Sequence, residues 1–106
     1  MTSRERLLKK RPRAVDIEGE PVFVRAMTMA EILKVEALSA GNDDAKKYEA
    51  LTYIVAACVV EVDGSAVFSG ADDAAIQDLP IDVLKRLVDE VNKASGVPSL
   101  GKIEGN

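Results

Sequence analysis

Between residues 14 and 26 the chain alternates apolar and polar positions, and directly after that the period changes. Val22 and Val24 fall on one face of an extended segment, and Phe23 and Arg25 on the other. The pattern predicts two short strands, 14–18 and 21–26, joined at Gly19–Glu20 as a hairpin. Thr28 stands three residues before Glu31, the spacing of a capping box, so a helix is expected from about residue 29 to 39. Gly41–Asn42 ends it. Asp43 or Asn42 caps the next helix, 44–60, where Tyr48, Leu51, Thr52, Val55, Cys58 and Val59 share one stripe. Tyr53, Ile54, Ala56 and Ala57 make the rest of that helix apolar as well, which demands cover on several sides, part of it from another subunit.

The run 58–62 is β-branched, so the end of this helix reads equally well as strand. Asp63–Gly64 is a turn, and 66–68 can return as a short strand, a second hairpin near 60–68. Ser69 precedes Asp72 at capping-box spacing, for a short helix over 71–79. Pro80 suits the first turn of a last helix, 81–95. Its buried stripe is Ile81, Leu84, Leu87, Val88 and Val91, and its solvent face pairs Asp82 with Arg86 and Asp89 with Lys93. The expected fold is α+β, mainly α: an N-terminal β-hairpin followed by a compact bundle of about four helices. Residues 14–96 form its one domain. A basic arm, 1–13, precedes the domain, with one or two helical turns over 3–10 stopped by Pro12, and a mobile tail, 97–106, follows Gly96.

Charge sharpens this division. Residues 1–14 sum to +5 and residues 15–106 to −9. An acidic body does not favour nucleic acid, which is bound through phosphate neutralisation. The arm is too short of apolar residues for a signal peptide, and no run approaches a membrane span. Histidine is absent, and Cys58 is the only cysteine in the 106 residues. The commonest general base and the thiolate cluster of a metal site are both missing, so no enzyme and no cofactor is expected, and a reducing cytoplasm is the expected compartment.

Asp63–Gly64 begins like a calcium loop, but Ser65, Val67 and Ala74 break its ligand pattern. Cys58 lies in an aliphatic run and reads as a core residue with no base to activate it. Arg25 has two readings: a solvent-side charge guarding an edge strand, or a residue that contacts a partner. The candidate partner-binding set is Val22, Phe23, Arg25 and Met27, acting by strand addition or side-chain contact.

Three strings in order carry a resemblance: VFVRAMTMAE at 22–31, the apolar helix ending in CVVEVDG at 58–64, and Phe68 followed by the acidic segment 71–79. With the amphipathic helix 81–95 closed by Gly96, the chain resembles the tail assembly chaperones of long-tailed bacteriophages over about residues 14–97. The resemblance implies a non-enzymatic cytoplasmic helper absent from the mature virion. Its implied partners are the tape measure protein, which it keeps soluble, and the tail tube protein, which it helps recruit. It also implies a longer frameshift product of the same gene, diverging near 97–106, and a homo-oligomer. Two other readings compete: a cytoplasmic protein–protein adaptor unrelated to phage, and a nucleic-acid-binding regulator using the basic arm.

Overall fold

A computed structural model describes residues 2–8, 11–70 and 72–96. The expected tail at 97–106, together with Lys9, Lys10 and Ala71, lies outside the described residues. Helix α1, Ser3–Leu8, is followed by strands β1, Arg13–Ile17, and β2, Glu20–Val24. Helices α2, Met29–Ser39, and α3, Asp44–Cys58, come next, and α3 runs straight into strand β3, Val59–Val60. Helices α4, Ala74–Gln77, and α5, Ile81–Ser95, complete the chain. The architecture is α+β and mainly α, with four helices after the hairpin, and none of the described helices is long and apolar enough to cross a membrane.

The hairpin turns one residue earlier than the sequence suggested. Ile17 pairs with Glu20, so the two-residue loop is Glu18–Gly19. Both loop residues have positive φ, 53° and 85°, as a tight right-twisting hairpin turn requires. Glycine takes this conformation freely and glutamate does not. Replacing exposed Glu18 with Asn, which tolerates positive φ, is expected to raise stability by about 0.5 kcal/mol. Urea unfolding followed by circular dichroism checks this, and no gain would mean the turn carries no strain.

Strand β2 is the centre of the sheet, between β1 and β3. Phe23 pairs with Val60 and Val24 with Val59, and the N–H of Arg25 extends the ladder to the Cys58 carbonyl at 2.9 Å. The β-branched end of the central helix is therefore strand. The Val59 N–H still donates to the Val55 carbonyl, but its φ and ψ of −86° and 118° are extended. One bridge, Val60 to Ala66, is what forms of the second hairpin, around a turn where Asp63 Oδ1 accepts from the Ser65 N–H and hydroxyl. These bonds hold the Asp63 carboxyl below its usual range.

Behind the sheet sits an aliphatic core: Ile17 and Val24 from the hairpin, Ile54, Val55, Cys58 and Val59 from α3 and β3, Ile76 from α4, and Leu84, Leu87, Val88 and Val91 from α5. Of the stripe expected on α3, Val55, Cys58 and Val59 are buried and Leu51 and Thr52 half-buried. Tyr48 is exposed, while Ala50, Ile54 and Ala56 are buried, because α3 is covered by α2, α4, α5 and the sheet rather than on one side. Within the chain α3 is thus covered on several sides, while Tyr48 stays in water. On α5, Ile81 is half exposed beyond the core. Asp89 pairs with Lys93 at 3.4 Å, whereas Asp82 and Arg86 form no ion pair. The short helix begins at Asp73, not at Ser69. Asp73 Oδ1 accepts from the Ala75 N–H and its Oδ2 from the Ser69 N–H, which also lowers the Asp73 pKa.

Candidate partner-binding surface

The segment from β2 to α2 is built around one buried ion pair. Arg25 extends past the end of the strand, where the chain bends at residues 26–28 before α2 begins. Its two terminal nitrogens donate to the two Glu31 oxygens at 2.8 and 2.7 Å, and Nη1 also donates to the Ala26 carbonyl at 2.9 Å. Glu31 Oε1 in turn accepts from the Thr28 N–H at 2.8 Å, and the Glu31 N–H donates to Thr28 Oγ1. The expected capping box is present, and its acidic member is shared with the arginine. The two side chains are only 8% and 14% exposed. The hydrogen bonds with Arg25 pull the Glu31 pKa from the usual 4.5 down to about 2, and the same bonds raise that of Arg25.

This arrangement revises the reading of Arg25. It is neither a solvent-side charge nor an exposed contact residue: it is buried at 6% exposure and holds the strand to the start of α2. Val22 is half-buried and packs on the core beside Val15. Phe23 is half-buried on the other face of the sheet, paired with Ala14 and Val60. Met27 packs against the core, and its N–H donates to Ser95 Oγ at 2.8 Å, which itself donates to the Val91 carbonyl. Strand addition at β2 is blocked at Phe23 and Val24, which pair with β3 on one side and β1 on the other. Of the four expected residues, Phe23 alone combines partial exposure with a place outside the core cluster.

The larger apolar surface lies one element on. Helix α2 buries none of its residues. Ile32, Val35 and Leu38 are half-buried on its inner side, and Lys34 places its ammonium 5.7 Å from the Tyr53 ring of α3. On its outer side Met29, Leu33 and Ala37, each four residues apart, form an exposed stripe, Met29 at 78% and Leu33 at 58%. The signal was present in the sequence: apolar residues at 29, 30, 32, 33, 35, 37 and 38 are more than one face of a helix can bury. Helix α3 is similarly apolar but lies inside.

Among the described residues, no group of three or more His, Cys, Asp or Glu side chains is placed to hold a metal ion. Cys58 is fully buried. Comparison with protein-family models, with curated proteins and with solved structures gives no match.

Proposed function

We propose that the chain is a non-enzymatic tail assembly chaperone of a long-tailed bacteriophage. It binds the tape measure protein, keeps it soluble and helps recruit tail tube subunits, alongside a longer frameshift product of its own gene. The observation that supports this reading is the outer face of α2. It is a helix locked at its start by the Arg25–Glu31 pair, yet its Met29–Leu33–Ala37 stripe faces outward. A stripe of this kind suits the apolar seam of another helix, with anchors at i and i+4, and a long helical partner offers such a seam repeatedly. Methionine and leucine adapt to varied partner side chains. The resemblance over residues 14–97 supplies the identity of the partner.

Capture of tagged protein from the source cells, with tail genes expressed, is expected to recover the tape measure protein, identified by mass spectrometry. A Met29→Lys/Leu33→Lys variant is expected to recover at least about tenfold less. Its circular dichroism should be unchanged, since neither side chain is buried. Recovery of cellular proteins alone would leave an adaptor unrelated to phage. Equal recovery by the variant would move the contact away from α2.

A further inference from the structure

Helix α1 and a groove at the far end of the molecule complement each other. The groove, of about 690 Å³, lies between the first half of α3, the α4 segment and the start of α5. Its exposed apolar surface comes from Tyr48, Leu79 and Ile81 over buried Ile76, with Glu49 and Asp72 also lining it. No lysine or arginine lines it among the described residues. Tyr48 and Ile81, at 52% and 50% exposed, are among the large apolar side chains that the fold leaves in water.

Helix α1 carries the opposite character. No residue of α1 is buried, and Leu7 and Leu8 are 85% and 64% exposed. Arg4 and Arg6 precede the two leucines, and Lys9, Lys10 and Arg11 follow them in the sequence. We infer that Leu7 and Leu8 of one copy dock into the Tyr48–Ile81 groove of a second copy, with Arg4 and Arg6 facing its acidic residues.

Geometry favours a second copy over the same chain. Strand β1 begins opposite Val24, beside the C-terminal ends of α3 and α5, where Arg25 bonds Cys58 and Met27 bonds Ser95. The groove lies at the N-terminal ends of the same two helices. Helix α1 buries none of its residues and leaves Leu7 and Leu8 in water, so it does not occupy the groove of its own chain. Burial of two leucines supplies the attraction, and the charges set orientation and salt dependence.

The test is sedimentation equilibrium of the full chain. Weight-average mass is expected to exceed the 11.4 kDa of one chain, to rise with concentration and to fall as salt is raised. Leu7→Glu/Leu8→Glu and Tyr48→Arg are each expected to weaken association about tenfold or more. Both changes fall on exposed positions, so each variant should keep the wild-type circular dichroism. Mixing a Leu7→Cys variant with a Tyr48→Cys variant under mild oxidation should give a disulfide-linked dimer of the two different chains. The native Cys58 is fully buried and does not compete. A monomer at all concentrations overturns the inference. So does self-association that neither variant weakens, or the absence of the mixed dimer.

Discussion

Replacing Glu31 with Ala is expected to destabilise the fold by about 3–5 kcal/mol, the cost of leaving one member of a buried ion pair without its partner. Arg25 is 8% exposed at its side chain, and its guanidinium binds both Glu31 oxygens. With the carboxylate gone, a charge that is always present stays in a site largely shielded from water. The same change removes the acidic half of the capping box, a further loss of about 1 kcal/mol. Against a typical total of about 5–15 kcal/mol for a domain, such a combined loss removes a large share of the stability, and at the lower end of that range it leaves the variant close to half unfolded at neutral pH. Urea titration followed by circular dichroism reads the effect. A loss below about 1 kcal/mol would mean that Arg25 swings into solvent once released. Arg25→Glu should be at least as damaging, because it sets two carboxylates against each other. The double variant Arg25→Met/Glu31→Gln separates charge burial from packing: it should recover part of the loss, since neither member is then charged.

Acidification acts on the same pair. The folded Glu31 pKa, about 2, lies below the unfolded 4.5, so the unfolded chain binds the proton more readily. The contribution of Glu31 is complete above pH 4.5 and is lost as pH falls from there through 2. The difference of about 2.5 pH units corresponds to roughly 3 kcal/mol. Stability measured by urea at successive pH values should fall steeply in this window. In Glu31→Gln, which keeps hydrogen-bonding atoms at the same place, that part of the slope should vanish. Asp63 and Asp73 add shallower acid sensitivity from the surface, and their share persists in the variant. Parallel pH profiles for wild type and Glu31→Gln would show that Glu31 titrates alike in both states.

Much of the fold was legible because its determinants are local. The period-two alternation of β2, the Thr28–Glu31 box, the left-handed Gly96 that ends α5 and the β-branched exit from α3 each lie within a few residues. Arg25 was misread because alternation assigns a face only while the strand continues. The strand stops at Val24, and the bend after it carries the side chain back over Glu31, six positions away. Periodicity also could not decide between α2 and α3, since both are apolar beyond one face. What separates them is the number of elements that pack on each. The groove was out of reach for a related reason: its surface comes from three helices whose spacing depends on the packing of Ile76 and Leu84. Asp73 took the cap expected of Ser69 because a carboxylate can accept from both the Ser69 and Ala75 N–H groups at once.

The bond from the Met27 N–H to Ser95 joins positions 68 residues apart. Helix α5 also packs on both β1 and β2, so the apolar side of the hairpin is finished by a helix synthesised well after it. At about 5–20 residues per second, roughly 3–14 s separate the synthesis of these two positions. Through that interval Val15, Val22 and Val24 lie without their final cover, and the nascent chain is at its most prone to join with its own kind. The chain therefore begins its existence with a few seconds in which its own apolar surfaces are open.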